Sequence, residues 1–182
     1  MFRTTFLAAL AFAGAMTGAA GAEDFKLTST SVAEGRPLSS DQVFEGFGCK
    51  GGNVSPDLAW SGAPVGTKSF AITAYDPDAP TGSGWWHWNV VDIPASISSL
   101  AAAASGKGAM PAKALELAND YGAKGFGGAC PPAGEVHRYV FTIHALSVET
   151  LDLPANPSNA LAGYMIGANT IAKAHITAVY SR

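Results

Sequence analysis

Apolar and polar residues alternate along several short stretches of the chain, and this two-residue period is typical of β-strands. Between residues 68 and 75, for example, Phe70, Ile72 and Ala74 share one face, and the residues between them share the other. The same pattern predicts five strands, over residues 25–30, 68–75, 85–93, 137–146 and 174–180.

Helix signals are few. Ser158 is a good N-cap for a helix over residues 159–169, and residues 112–118 form a second, shorter candidate. The 21 glycines and 11 prolines favour many turns between strands. Strands with long glycine-rich connections indicate an antiparallel sandwich or Greek-key arrangement rather than alternating βα units. The sequence therefore predicts a mostly β, antiparallel, two-sheet fold with a few short helices.

The N-terminal residues have the order of a secretory signal peptide. Arg3 supplies a positive charge, residues 6–16 are apolar, and Ala20-Gly21-Ala22 offers small residues for cleavage. The apolar run is shorter than the roughly 20 residues that cross a bilayer, and no later run reaches that length. We expect residues 1–22 to be a signal peptide and residues 23–182 to be one domain, periplasmic or secreted, without stable membrane insertion.

Cys49 and Cys130 are the two cysteines of the chain. In an oxidising compartment an even number favours a disulfide, with two separately buried thiols as the alternative. The bond would close a loop of about 80 residues, which the chain-entropy model values at about 4 kcal/mol.

Composition and missing motifs exclude several classes of function. The formal net charge is −3, and no cluster of Lys and Arg is present of the kind that neutralises a nucleic-acid backbone. The chain also lacks the G-x-S-x-G, H-E-x-x-H and C-x-x-C patterns. We therefore predict no nucleic-acid partner, no catalytic residue, no metal ligand and no cofactor.

Asp76 and Asp78 follow the second predicted strand, in the run Asp-Pro-Asp-Ala-Pro. Proline holds itself and the preceding residue near extended geometry, and alternate residues of an extended segment share a side. We expect the two carboxylates to point the same way. The alternative is a surface turn with solvated aspartates.

The third predicted strand begins Trp85-Trp86-His87-Trp88. Alternation places Trp85 and His87 on one face, and Trp86 and Trp88 on the other. One face can then join the core while the other lines a pocket that contains a histidine. A structural histidine satisfied within the fold is the alternative.

A glycine-rich turn over residues 125–132 leads into His137-Arg138-Tyr139. Glycines 127 and 128 permit close backbone approach, so main-chain N–H groups could converge there on an anion. On the strand that follows, His137 and Tyr139 fall on one face and Arg138 falls on the other.

These motifs in combination resemble the phosphatidylethanolamine-binding protein family, and most of all its bacterial branch of Raf-kinase-inhibitor-like proteins of the YbhB/YbcL type. The similarity runs from about Phe25 to the C-terminus. It implies a two-sheet β fold with a small pocket for phosphate-like anions and phospholipid head groups. Carried over to this chain, the ligand-binding residues are Asp76, Asp78, His87, His137, Tyr139, Gly128 and Pro131.

Two features depart from that family's pattern. Cys130 stands where many eukaryotic members have glycine, which would narrow the pocket. The chain also ends soon after Tyr180, without an extended C-terminal helix, which would leave the pocket more open.

The resemblance implies a protein that binds a small anionic or phosphate-bearing ligand. It does not decide whether the protein also binds a protein partner. Carboxylates near His87 and His137 would raise the pKa of both rings, so that each imidazolium donates to a phosphate oxygen. Two alternatives remain: a weak phosphoester hydrolase that uses a His/Asp pair, and an inhibitory protein-interaction module with an unused pocket.

Overall fold

The computed structural model describes residues 24–182, and the predicted signal peptide lies outside this part of the chain. The described residues form ten β-strands, one α-helix and a short 3₁₀ turn at Ser40–Gln42. The strands are β1 Lys26–Thr28, β2 Glu45–Gly46, β3 Cys49–Lys50, β4 Leu58–Ser61, β5 Ser69–Asp76, β6 Trp85–Pro94, β7 Ser99–Leu100, β8 Leu115–Glu116, β9 Val136–Leu146 and β10 Thr170–Ser181, and the helix is α1 Asn159–Asn169.

The strands form three antiparallel sheets. The largest has the order β10-β9-β5-β6-β8, a second has the order β1-β4-β7, and β2 pairs only with β3. The prediction of a mostly β, antiparallel fold is confirmed. All five predicted strands are present, although β1 covers three of its six predicted residues and β10 begins four residues earlier than predicted.

The main hydrophobic core lies on one face of the five-stranded sheet, which packs there against the three-stranded sheet. Alternate residues of β5, Phe70, Ile72 and Ala74, enter this core as their spacing predicts. Leu58 and Trp60 of β4 enter it from the second sheet. Burial of such side chains contributes about 1.5–3 kcal/mol each. This core therefore sets which face of β5 and β9 turns inward.

The opposite face of the five-stranded sheet carries α1. Ala71 of β5 packs there in a smaller core with Ala162 and Ile166 of the helix. The helix begins as predicted, since the Ser158 hydroxyl accepts a hydrogen bond from the backbone N–H of Leu161 at 3.2 Å.

The predicted short helix over residues 112–118 is wrong. In its place Leu115–Glu116 forms β8, which pairs with Val90 and Val91 of β6. The edge of β6 offers unpaired backbone groups, and pairing them outweighs a weak local helix propensity.

A β-bulge changes the orientation of the tryptophans in β6. Tyr75 pairs with Trp86 and Ala74 pairs with Trp88, so His87 is an extra residue on its strand. Trp88 consequently turns into the main core, whereas Trp86 lies on the helix side, with its ring 4.5 Å from that of Tyr75. The prediction that Trp86 and Trp88 share a face is wrong because strict alternation fails at a bulge.

The predicted disulfide between Cys49 and Cys130 is present and closes a sequence separation of 81 residues. It joins β3 to the glycine-rich turn that precedes β9. Within residues 24–182, no helix combines the length and the apolar character that crossing a bilayer requires.

Candidate functional site

A cavity of about 390 Å³ opens where β5 ends and where β6 and β9 begin. Its walls include five of the seven residues predicted to bind ligand: Asp76, His87, Pro131, His137 and Tyr139. A cavity of this size lies within the range of small-molecule sites. Residues distant in sequence are therefore brought together as the motifs predict.

Asp76 is the last residue of β5 and is almost completely buried. Its Oδ1 accepts hydrogen bonds from the backbone N–H groups of Asp78 at 2.8 Å and Ala79 at 3.1 Å. Its Oδ2 accepts from Nδ1 of His137 at 2.7 Å. Both carboxylate oxygens are thus engaged, and the side chain is held in one orientation.

His137 lies between two carboxylates. Its Nδ1 donates to Asp76, and its Nε2 donates to Oε2 of Glu135 at 3.0 Å. Burial disfavours the charged ring, but the hydrogen bonds to Glu135 and Asp76 outweigh it and raise the pKa of His137. The imidazolium predicted for this position is therefore the favoured form.

His87, in contrast to His137, favours the neutral ring. Its Nδ1 lies 2.7 Å from the carbonyl oxygen of Gly127, which can only accept, so this nitrogen carries the proton. Burial lowers the pKa of His87, although the Gly127 carbonyl and the Asp76 charge act against it. The expectation that His87 is a second imidazolium is wrong, because desolvation dominates at a ring that is only 3% exposed.

The neutral ring of His87 leaves Nε2 as a bare acceptor in the cavity. Among the described residues this atom is buried without a hydrogen-bond partner, and so are the Tyr139 hydroxyl and Trp85 Nε1. Burial and the nearby Asp76 charge raise the pKa of Tyr139, so its hydroxyl keeps its proton. The cavity thus presents one acceptor, one N–H donor and one hydroxyl that can do either.

Asp78 does not line the cavity, contrary to the expectation. Its carboxylate forms two hydrogen bonds with the side chain of Arg138, from Nε at 2.9 Å and from Nη2 at 2.7 Å. The hydrogen bonds from Arg138 outweigh partial burial and lower the pKa of Asp78 to about 2. The backbone turns back onto Asp76 directly after β5, so alternation of an extended segment does not apply there.

Gly128 also lies outside the cavity wall. Its N–H donates to Oδ1 of Asn53 at 2.7 Å, and the N–H of Gly127 donates to the carbonyl of His87 at 2.8 Å. Both amides have partners within the protein, so the expected convergence of N–H groups on an anion is not observed. A Cβ at Gly128 would lie 2.5 Å from the carbonyl oxygen of Gln42, and this close approach explains the glycine.

The sequence did not single out four residues that line the cavity: Phe47, Thr81, Tyr121 and Arg182. It also missed Glu135, which does not line the cavity but binds His137. The sequence did contain a signal for Glu135. It lies just before β9 and two residues before His137, so the alternation of an extended segment places both side chains on the same side. The others reach the cavity from loops and from the chain end. Tyr121, for example, is placed by its hydroxyl bond to the Gly128 carbonyl at 3.0 Å and by stacking on Phe44.

The described residues contain no group of three or more His, Cys, Asp or Glu side chains arranged to hold a metal ion.

The chain is similar in sequence to known proteins over most of its length. The family model described as phosphatidylethanolamine-binding protein matches residues 28–181. The UPF0098 protein YbcL of Escherichia coli is 52% identical over 168 residues, covering 91% of this chain and 92% of its own. The UPF0098 protein YbhB of the same organism is 48% identical over 157 residues, covering 86% and 99%.

Structural comparison agrees with the sequence matches. The crystal structure of Escherichia coli YbcL, described as a new member of the mammalian PEBP family, superposes with a TM-score of 0.84 at 53% identity. The match covers 87% of this chain and 98% of that one. Matches of this extent show common ancestry and not only a common architecture. The chain belongs to the phosphatidylethanolamine-binding protein family.

Proposed function

We propose that this protein binds a small anion that bears a phosphate group, in the cavity between Asp76, His87 and His137. The observation that carries the proposal is a set of buried, unpartnered polar atoms on three residues that line the cavity: Nε2 of His87, Nε1 of Trp85 and the hydroxyl of Tyr139. Buried polar groups without partners are rare in folded proteins, and each is costly. A bound ligand would satisfy all three.

The positions of these groups define the ligand's chemistry. Trp85 Nε1 and the Tyr139 hydroxyl can donate to anionic oxygens, and Arg182 supplies positive charge at the same cavity. The charge of the His137 imidazolium is offset by Asp76 and Glu135 while both carboxylates are bound to it. Nε2 of His87 can only accept, so the ligand must also present a hydroxyl or N–H. A singly protonated phosphate group offers both kinds of atom.

Phosphoester hydrolysis is the second candidate, and one observation favours it. The neutral His87 has a free lone pair on Nε2 inside the cavity and could take a proton from water. Binding is the better supported function, because Trp85, Tyr139 and Arg182 all line the cavity and can offer donors or positive charge to a phosphate.

We also propose that residues 1–22 direct export, which leaves residues 23–182 as one domain in the periplasm or outside the cell. The charged, apolar and small-residue order of the N-terminus supports this, and so does the Cys49–Cys130 disulfide, since such bonds persist in oxidising compartments.

Calorimetric titration with inorganic phosphate, on protein prepared in phosphate-free buffer at pH 6, tests the binding proposal. We expect His137→Ala to weaken binding at least about tenfold, because it removes a charge-assisted hydrogen bond. His175→Ala is the matched control, since His175 is exposed on β10 away from the cavity. Equal affinity in wild type and His137→Ala would refute the proposal.

A further inference from the structure

His137 has no free ring nitrogen with which to receive a ligand. Nδ1 donates to Asp76 and Nε2 donates to Glu135, at 2.7 and 3.0 Å. The ring is only 3% exposed, so it cannot turn toward another partner without losing one of these bonds. An anion that uses this imidazolium must therefore replace one of the two carboxylates.

The two carboxylates differ in how firmly they are held. Asp76 is 4% exposed and accepts two backbone N–H bonds in addition to that from His137. The Glu135 side chain is 52% exposed, and in residues 24–182 its carboxylate has hydrogen bonds to His137 alone. Exposed, singly bonded ion pairs are weak, whereas breaking a buried and fully bonded pair is costly. Glu135 is the carboxylate that a ligand can displace.

The segment around Glu135 lies at the protein surface. Residues 133–136 are all exposed, so solvent surrounds the position that the Glu135 side chain would leave for. Two arginines close to this segment have other partners: Arg138 binds Asp78, and Nη1 of Arg182 donates to the carbonyl of Phe47. The released carboxylate would move into solvent and not onto a second protein site.

We propose that Glu135 is an internal competitor of the ligand. Its carboxylate occupies the place on Nε2 of His137 that the anionic oxygen of the ligand takes, and ligand binding releases it to solvent. This inference rests on the proposed function, because it assumes that the cavity receives a phosphate group. Glu135 is then a specificity-determining residue: only an anion that binds His137 more strongly than a tethered carboxylate does can enter.

The test is a calorimetric titration with inorganic phosphate of the wild type, Glu135→Gln and Glu135→Ala. A pH near 6 is suitable, because Asp76 still favours the charged ring of His137 when Glu135 is removed. We expect both variants to bind phosphate roughly three- to fivefold more tightly, which is the scale of an exposed ion pair. Glu149→Gln, in the turn that follows the opposite end of β9, makes the same charge change on an exposed residue and should bind as the wild type does.

A second readout follows the carboxylate itself. In protein labelled with ¹³C at glutamate, the Glu135 side-chain carboxyl signal of the wild type should move to the position of a solvated glutamate as phosphate saturates the site. Unchanged or weaker binding in both Glu135 variants, with normal binding by the wild type, would overturn this inference alone. Absence of phosphate binding by all four proteins would overturn it together with the proposed function.

Discussion

Oδ2 of Asp76 and Nδ1 of His137 lie 2.7 Å apart, and the two side chains are 4% and 3% exposed. The pair joins the end of β5 to the start of β9, two neighbouring strands of the main sheet. It therefore has two consequences: it ties the strand ends together, and it fixes a positive charge at the wall of the cavity.

Removing the carboxylate of this pair should destabilise the folded protein. Asp76→Asn keeps the shape of the side chain but replaces the oxygen that accepts from His137 with an amide that donates. Removing one partner of a buried ion pair costs about 3 kcal/mol, and we expect the free energy of unfolding to fall by about that amount. Urea denaturation measures it, and a loss below about 0.5 kcal/mol would show that the pair is not formed.

Asp78→Asn is the matched comparison for the same substitution. The Asp78–Arg138 pair is 29% and 58% exposed, and exposed pairs contribute at most about 1 kcal/mol. We expect a small loss of stability and phosphate affinity within about a factor of two of the wild type. If Asp78→Asn impaired phosphate binding as strongly as Asp76→Asn, both aspartates would belong to the site, as the sequence alone suggested.

The pH dependence of stability follows from His137. Its pKa is raised above the ordinary value of 6.5, so the folded state binds its proton more tightly than the unfolded state does. The stabilisation is complete below pH 6.5 and is lost as pH rises through the folded-state pKa. We expect the difference in unfolding free energy between wild type and His137→Gln to be larger at pH 6 than at pH 9. A difference that grows with pH would contradict the assignment of the charge.

His87 should behave differently in the same pH range. Burial lowers its pKa, and its Nδ1 proton is held by the Gly127 carbonyl. ¹⁵N NMR should therefore show a neutral ring at pH 6 with a proton on Nδ1 and none on Nε2. On saturation with phosphate, the Nε2 resonance should shift as that atom accepts a hydrogen bond. An imidazolium signal for His87 at pH 6 would refute this part of the account.

The disulfide provides a test that is independent of ionisation. Cys130 lines the cavity, and the bond to Cys49 closes a separation of 81 residues. We expect the double variant Cys49→Ala, Cys130→Ala to lose about 4 kcal/mol of unfolding free energy in the chain-entropy model. Wild-type protein under reducing conditions should show a similar loss in urea denaturation. A loss only in the variant would point to packing of the sulfur atoms and not to the cross-link.

The strand framework could be predicted because burial on one face imposes a two-residue period. Phe70, Ile72 and Ala74 enter the core as that period requires, and Tyr139 follows His137 onto the cavity side for the same reason. The start of α1 could be predicted because it depends only on neighbouring residues: the Ser158 hydroxyl accepts a hydrogen bond from the N–H of Leu161.

Alternation failed where the backbone departs from a regular strand. The bulge at His87 turns Trp88 into the core, and the turn onto Asp76 sends Asp78 to Arg138 instead of the cavity. The bulge depends on the pairing of β6 with β5, so the sequence of β6 alone does not reveal it. The turn at Asp76 is local, and the sequence offered a turn there as the alternative, but Arg138, which binds Asp78, lies 60 residues away.

The protonation state of His87 also depends on a group that is distant in sequence. Near Asp76 alone, an imidazolium is the natural expectation, but the Gly127 carbonyl and nearly complete burial decide otherwise. Gly127 is 40 residues away in sequence, and only the fold brings its carbonyl to the ring.

A crystal structure of the protein grown with saturating inorganic phosphate tests the binding site most directly. We expect a phosphate in the cavity, within about 3 Å of Nε2 of both His87 and His137. A cavity that holds only water under those conditions, or phosphate bound solely at another surface, would contradict this expectation.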